Sequence, residues 1–247
     1  MVIVLRKRNI AWFLSVMLFF GVSWSGYHLA MHPAMKKWQQ EKILIAQVPT
    51  DEKVVALTYD DGPDPTNTPA VLDALKRHKA PATFFVLGKR VAAHPEIVRR
   101  IRREGHELGS HGYSHPNYNK YNKSGIADDI TRTSAIIHEI TGQNPTLFRP
   151  PGGYLSYDMV DICRKNQLTI AYWTYQQDSK DWRNGVAGTQ IAAHITRHLA
   201  PGQIIVLHDG APNGLQTARA TDIVLGALEK QGYRVVTMSE LIRLGKQ

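Results

Sequence analysis

The feature that most constrains the fold is an alternation of strand and helix patterns, which starts at Val54 and continues to the end of the chain. Each short apolar run is followed by a longer segment whose apolar residues recur at helical spacing. Strands are predicted at residues 54–57, 82–88, 106–110, 146–149, 168–174, 203–207 and 233–236. Seven such units imply parallel strands wrapped by helices, in a barrel or in an open doubly wound sheet. No fingerprint for nucleotide phosphate occurs, so we favour a closed or nearly closed α/β barrel with one unit fewer than the usual eight.

The N-terminus carries a separate signal. Arg6, Lys7 and Arg8 precede an apolar run from Ile10 to Ala30. At ~1.5 Å per residue, a helix of that length can cross a hydrocarbon core of ~30 Å. The basic cluster predicts a cytoplasmic N-terminus and an exported domain. A cleaved signal peptide is the alternative, but the run is long and no Ala-x-Ala site follows it, so we expect a retained signal-anchor.

The predicted organisation therefore has three parts. Residues 1–30 form a transmembrane helix, residues 31–52 a polar and partly helical linker, and residues 53–247 one folded domain. This arrangement predicts a single-pass protein of the cell membrane with an extracytoplasmic domain. If the N-terminal segment is cleaved, the same domain is secreted.

Charge and cysteine content limit the partners and the chemistry. The formal net charge is +9, but outside a membrane the available polyanions are lipid headgroups and cell-wall polymers, so no nucleic-acid partner is expected. Cys163 is the only cysteine, which excludes an internal disulfide. Its neighbours Met159 and Ile162 favour a buried core thiol over a nucleophile.

Acidic, histidine and arginine residues follow the predicted strands at their carboxyl ends. Parallel strands place these ends at one face of the fold, where barrel enzymes assemble their sites. The residues concerned are Asp60 and Asp61 after the first strand, His111 and His115 after the third, Arg149 after the fourth, Asp181 after the fifth, and His208 and Asp209 after the sixth.

The segment HGYSHP suggests a metal site. Its histidines, His111 and His115, are four residues apart, and on a helical turn both imidazoles point to one side. Two histidines and one carboxylate would hold a divalent metal and leave open positions, as a catalytic site requires. Asp60 and Asp61 are adjacent and point in opposite directions on extended backbone, so one can bind metal while the other faces water. Taken alone, the histidine pair is equally compatible with a surface or core role.

Three further segments have both a structural and a functional interpretation. In RPPGG, Arg149 is a permanent cation and the N–H of Gly152 is free to stabilise an oxyanion, although a rigid loop with a salt bridge fits equally well. In DSKDW, Asp181 is a carboxylate with an aromatic neighbour, Trp182, and a solvated loop is the alternative interpretation. VLHDG places His208 at a strand end, where a core histidine paired with Asp209 is the alternative.

Together the segments TYDDGP, HGYSHP, RPPGG, DSKDW and LHD resemble the five motifs of the polysaccharide deacetylase family, the NodB-homology domain of carbohydrate esterase family 4, in the same order. The resemblance covers about residues 53–244. It implies a distorted seven-stranded (β/α) barrel that holds a divalent metal, foremost Zn²⁺, with Co²⁺, Ni²⁺ or Mn²⁺ as other candidates. By the resemblance, the metal ligands are Asp61, His111 and His115.

The resemblance also implies the remaining site residues. Asp60 is the general base, oriented by Arg149, and His208 is the general acid, oriented by Asp181. The oxyanion and substrate contacts expected from these motifs are Gly152, Trp182 and Leu207. Trp173 is widely spaced from Asp178, which leaves open whether Trp173 or Trp182 lines the groove.

The activity implied by the resemblance is hydrolytic removal of N-acetyl groups from GlcNAc-containing polymers such as peptidoglycan or chitin-like oligomers, with release of acetate. The same machinery suits an acetyl-xylan-type O-acetyl esterase. A silent, membrane-tethered glycan-binding domain is the alternative from another class. Binding alone needs neither a base nor an acid, so the intact Asp60 and His208 speak against it.

Overall fold

The structure, a computed structural model, describes His32 and residues 34–245. The predicted membrane segment from Ile10 to Ala30 lies outside these residues. Among the helices of the described residues, none is both long and apolar enough to cross a membrane. One compact unit runs from Lys42 onward, and helix α1 (Met35–Gln40) precedes it in a separate unit that ends at Glu41.

The compact unit is built on one parallel sheet. Its strands are β1 (Leu44–Ile45), β2 (Val54–Asp60), β3 (Thr83–Val86), β4 (Glu107–Ser110), β5 (Leu147–Phe148), β6 (Thr169–Ala171), β7 (Ile204–His208) and β8 (Arg234–Val236). The strand order is β1-β6-β5-β4-β3-β2-β7, and β8 pairs with the first half of β2. All pairings are parallel, which confirms the α/β class predicted from the alternation of elements.

The connections between strands are mostly helical. They contain α2 (Asn67–Arg77), α3 (Gly88–Ala93), α4 (Pro95–Arg103), α5 (Lys123–Thr141), α6 (Tyr157–Lys165), α7 (Gly188–Arg197) and α8 (Gly214–Lys230), and α9 (Met238–Leu244) follows the last strand. Local sequence explains several boundaries. Pro95 stands in the first turn of α4, the Asn122 and Ser156 side chains cap α5 and α6, and Gly142 ends α5 in a left-handed conformation.

The two faces of the sheet bury different sets of residues. Along β2, Val55, Leu57 and Tyr59 belong to a large core between the sheet and the helices. Val54 and Ala56 point the other way, into a second core with residues of β3, β5, β6, β7 and β8. Side chains from strands far apart in the sheet can meet in one cluster because the sheet curls, so its inner face forms a half-barrel.

The sheet path ends at β1 and β7, and an irregular segment lies beside β7. The Thr174 N–H donates to the Ile204 carbonyl over 3.0 Å, and Asp178 forms an isolated parallel bridge with Val206. This segment follows β6 directly in the chain. It is not a regular strand, but it contacts β7 through these backbone interactions.

The sequence predictions and the structure differ at a few elements. Each of the seven predicted strands occurs, but Leu44–Ile45 lies in the predicted linker and joins the sheet as β1 by pairing with β6. A two-residue strand carries too little pattern to be recognised. Cys163 is fully buried, and burial raises the pKa of its thiol to about 12, so the core-thiol prediction is confirmed.

Candidate active site

The inner face of β2 carries the first pair of charged groups. Residues alternate along the strand, so Thr58 and Asp60 point into the half-barrel while Tyr59 points to the helices. The Arg149 Nη1 donates to Asp60 Oδ1 over 2.8 Å and to Thr58 Oγ1 over 2.7 Å. Sequence and structure agree in bringing Arg149 to the side of Asp60.

Arg149 is completely buried and every part of its guanidinium is engaged. Its Nε donates to the Ala171 carbonyl and its Nη2 to the Tyr172 carbonyl, each over 3.0 Å. The guanidinium carbon lies 4.1 Å from the centre of the Phe85 ring. A buried charge is stable only when it is paired and hydrogen-bonded, and these contacts fix its position.

The electrostatics at Asp60 favour its ionised form. Burial alone would raise the pKa of this carboxyl, but the positive charge of Arg149, with smaller contributions from His111 and His208, lowers the pKa below its ordinary value. An ionised carboxylate at neutral pH can accept a proton.

Asp61, His111 and His115 converge on one point. The Asp61 Oδ1 lies 3.6 Å from His111 Nε2 and 3.7 Å from His115 Nε2. This oxygen is buried and has no hydrogen-bond partner in the described part of the chain. An orphaned carboxylate oxygen between two imidazole nitrogens is what a divalent cation would satisfy, and the donor set suits zinc. The residues therefore fit the metal implied by the motifs.

Backbone geometry aims these groups. Asp61 has a φ of 73° and His115 a φ of 58°, so both lie in the left-handed region that non-glycine residues seldom adopt. The His111 Nδ1 lies 2.7 Å from the Arg149 carbonyl, which fixes the ring and leaves Nε2 facing Asp61. Burial lowers the pKa of His111, which favours the neutral, ligating imidazole.

The second charged pair lies at the end of β7. The Asp181 Oδ1 lies 2.8 Å from His208 Nδ1, and its Oδ2 accepts from the His208 N–H and from Thr217 Oγ1 over 2.7 Å each. Burial alone would lower the pKa of His208, but the hydrogen bond and charge of Asp181 raise it to about 9. His208 is therefore protonated at neutral pH and can donate a proton from Nε2.

The two pairs face one open groove of about 640 Å³. Asp60 and His208 are register partners on adjacent strands, which brings base and acid candidates together. Gly152 also lines the groove with a φ of 61°, and a Cβ placed on it would meet no atom within 4 Å. The spacing of the motifs left open whether Trp173 or Trp182 lines the groove, and both residues line it. Trp182 is 41% exposed.

One predicted substrate contact is wrong. Leu207 is fully buried in the core between the sheet and the helices. Its neighbours Val206 and His208 line the groove instead. Side chains alternate along a strand, so a residue next to His208 must point to the opposite face.

Sequence reasoning missed the hydroxyls that support both charged pairs. Thr58 accepts from Arg149, and Thr217 donates to Asp181. Thr58 could have been found, because it lies two residues before Asp60 and therefore on the same face of β2. Thr217 lies in α8 and gives no comparable signal.

Comparisons with known proteins agree with this geometry. The polysaccharide deacetylase family model matches residues 47–171. A peptidoglycan-N-acetylglucosamine deacetylase of Bacillus cereus is 40% identical over 198 residues, covering 80% of this chain and 92% of that protein.

Solved structures of deacetylases and esterases are similar to this chain in fold. A crystal structure of a peptidoglycan N-acetylglucosamine deacetylase in complex with an N-oxidanyl-benzamide has a TM-score of 0.80 at 32% identity, covering 88% of this chain and 99% of the other. A family 4 acetyl xylan esterase from Clostridium thermocellum, in complex with a cobalt ion, has a TM-score of 0.71 at 35% identity, covering 78% of this chain and 91% of the other. Sequence and fold together show that this chain belongs to the polysaccharide deacetylase family.

Proposed function

We propose that this protein is a metal-dependent hydrolase that removes N-acetyl groups from GlcNAc-containing polymers and releases acetate. The observation that carries the proposal is one groove in which an ionised carboxylate, Asp60, and a protonated imidazole, His208, flank the Asp61, His111 and His115 cluster. A base, an acid and a cation site within one groove suit hydrolysis of an unactivated amide.

The proton transfers follow from the charges. Asp60 accepts a proton from the attacking water, whose oxygen bonds to the acetamide carbonyl carbon. His208 then donates its Nε2 proton to the sugar nitrogen as the carbon–nitrogen bond breaks, because an amine leaves far more readily than an amide anion. The products are acetate and a free amine. No covalent intermediate with the protein is required.

The cation site supplies the electrophilic part of the chemistry. Asp61, His111 and His115 would hold Zn²⁺ or another divalent ion such as Co²⁺, Ni²⁺ or Mn²⁺. A cation held there would lower the pKa of a bound water and polarise the carbonyl oxygen. Gly152 lines the same groove, and its N–H would add a hydrogen bond to the developing oxyanion.

The groove surface favours a carboxylate-bearing polymer such as peptidoglycan over a neutral one. Lys89 and Lys180 both line it. Lys180 is neutralised by Asp178, whose Oδ2 lies 2.5 Å from its Nζ. Lys89 is exposed, and the described residues show no salt bridge to it, so its charge is available to a substrate. Trp173 and Trp182 supply apolar surface for sugar rings.

The experiment is acetate release from a matched panel: peptidoglycan strands, chitin oligomers and acetylated xylan, with and without chelator. We expect release from the N-acetylated glycans, loss with chelator and recovery with added Zn²⁺ or Co²⁺. Release from acetylated xylan alone would favour the esterase that the similarity to the C. thermocellum structure raises. Glycan binding without acetate release from any substrate would indicate a silent binding domain.

Lys89→Met tests the substrate preference within the same panel. Loss of an exposed charge interaction of about 0.2–1 kcal/mol should raise KM modestly on peptidoglycan and leave KM on neutral chitin oligomers unchanged. Lys120→Met is a matched control, since Lys120 is exposed but does not line the groove. Equal KM changes on both substrates would contradict a preference for anionic polymers.

We also propose that the domain is anchored in the cell membrane and faces outward. The support is the apolar run from Ile10 to Ala30 behind Arg6, Lys7 and Arg8. N-terminal sequencing of the membrane-extracted protein tests this proposal. A mature chain that begins after Ala30 would replace the anchor with secretion.

A further inference from the structure

The turn that follows β7 contains a buried carboxyl that the proposed reaction does not use. Asp209 is completely buried. Its Oδ2 accepts a hydrogen bond from Thr68 Oγ1, while its Oδ1 has no hydrogen-bond partner in the described part of the chain. A buried carboxyl with so few partners is costly, so its position requires an explanation.

Asp209 lies directly against the loop that carries Asp61. A Cβ placed on Gly62 would lie at most 2.8 Å from the carboxyl atoms of Asp209, so only glycine fits beneath it. Thr68, the partner of Asp209, also accepts from the Asp64 N–H over 2.8 Å. Asp209 therefore packs against the loop at Gly62, and Thr68 binds the same loop at Asp64.

Gly210 contacts Asp61 itself. A Cβ on Gly210 would come within 2.3 Å of the carbonyl carbon and oxygen of Asp61. The Gly210 N–H donates to the Asp60 carbonyl over 3.2 Å, and the Gly210 carbonyl accepts from Arg90 Nη1 over 2.9 Å. The turn is thus fixed at its own carbonyl and pressed against the backbone of Asp61.

Asp61 is the residue that needs such support. Its φ of 73° is a strained conformation for a residue with a side chain, and strained residues persist only where the surroundings fix them. A relaxed backbone would re-aim the carboxylate, whose Oδ1 lies 3.6 and 3.7 Å from the two imidazole nitrogens.

We propose that Asp209 and Gly210 form a clamp that holds Asp61 in its left-handed conformation and thereby sets the affinity of the Asp61, His111 and His115 site for a divalent cation. Both are positioning residues. The inference rests on the ligand role proposed for Asp61, and it goes further by assigning the cation affinity to a turn that supplies no ligand atom to the cation site. Loss of an outer support of a metal ligand commonly weakens binding 10- to 100-fold.

The test is titration of the full-length, metal-depleted protein with Zn²⁺ and Co²⁺, followed by calorimetry and by the visible spectrum of bound Co²⁺. Gly210→Ala should weaken binding about 10- to 100-fold and change the Co²⁺ spectrum. Saturating metal should recover much of the rate of Gly210→Ala, whereas a general loss of structure would not be reversed by added metal. Gly226→Ala is the matched control, because a Cβ there meets only His78 Cε1 at 3.9 Å, and its affinity should equal that of the wild type.

Two further variants keep the test decisive if Gly210→Ala does not fold. Asp209→Ala should weaken binding, while Asp209→Asn, which retains the shape and an acceptor for Thr68, should restore most of it. Wild-type affinity in both folded Gly210→Ala and Asp209→Ala would overturn the clamp. A wild-type protein that binds neither cation would instead overturn the proposed metal role, and the clamp with it.

Discussion

The two charged pairs of the groove contain the same kinds of group in opposite order. In one pair the carboxylate of Asp60 faces the groove and the cation, Arg149, is completely buried behind it. In the other the cationic imidazole of His208 faces the groove and the carboxylate, Asp181, is buried. Each pair thus combines a proposed reacting group with a buried supporting group of opposite charge.

The two buried supporting groups, Arg149 and Asp181, have different hydrogen-bond partners. The buried Arg149 donates to two carbonyls and to Thr58 as well as to Asp60. The buried Asp181 accepts from the backbone and side chain of His208 and from Thr217. The opposite charges of these supporting groups leave Asp60 deprotonated and His208 protonated at neutral pH.

The largest expected effect is on the reacting carboxylate. Asp60→Asn should reduce acetate release by about 10²- to 10⁴-fold, because the amide cannot accept the water proton. Metal content should stay near that of the wild type, since the orphaned oxygen belongs to Asp61. Metal analysis of purified Asp60→Asn and Asp61→Asn checks the assignment, and loss of metal from Asp60→Asn alone would reverse the two roles.

The reacting imidazole should show a dependence on the leaving group. His208→Ala should reduce the rate on an acetylated amino sugar by about 10²- to 10⁴-fold, and the rate on an aryl acetate by much less, since a phenolate leaves without protonation. Paired rates on the two substrates measure this difference. An equal loss on both would remove the acid role from His208.

The supporting arginine should matter most for stability. Arg149→Met removes a buried cation and leaves Asp60 unpaired, and breaking a buried pair in this way typically costs about 3–5 kcal/mol. Urea unfolding followed by circular dichroism measures the change in the free energy of unfolding. Arg183→Met, at an exposed position, should change that free energy little. Equal values for the two variants would mean that the pair is not a structural unit.

The supporting carboxylate should act through pH. We expect the rate to fall as pH rises through the pKa of His208, about 9, because the proposed acid loses its proton. Asp181→Asn removes the charge that raises this pKa, and burial then lowers it, so the alkaline limb of kcat/KM should move to lower pH. A pH profile of kcat/KM checks the shift. An unmoved alkaline limb in a folded variant would separate Asp181 from the acid.

Much of this arrangement could be predicted from sequence. The strand-then-helix alternation required parallel strands, and parallel strands required Asp60, His111, Arg149 and His208 to share one face. Alternation along β7 should also have excluded Leu207, since it follows Val206 and precedes His208 on the same extended backbone.

Other features depend on contacts that no local pattern encodes. Asp61, in its left-handed conformation, packs against the turn after β7, which lies far from it in the chain. Strand β1 is defined by its pairing with β6 rather than by its two residues. Thr217 supports Asp181 from a helix that follows it in the chain by more than 30 residues. Such long-range contacts become visible only in the folded chain.

The neighbours of β2 determine when the site comes into existence during folding. This strand carries Asp60 near the start of the domain, yet it pairs with β7 and β8 from the C-terminal end. Contacts between such distant parts of a chain form slowly, because a long loop must close before they are made. A chain emerging N-terminus first therefore carries Asp60, the proposed base, early, but its groove stays incomplete until nearly all of the domain has been synthesised.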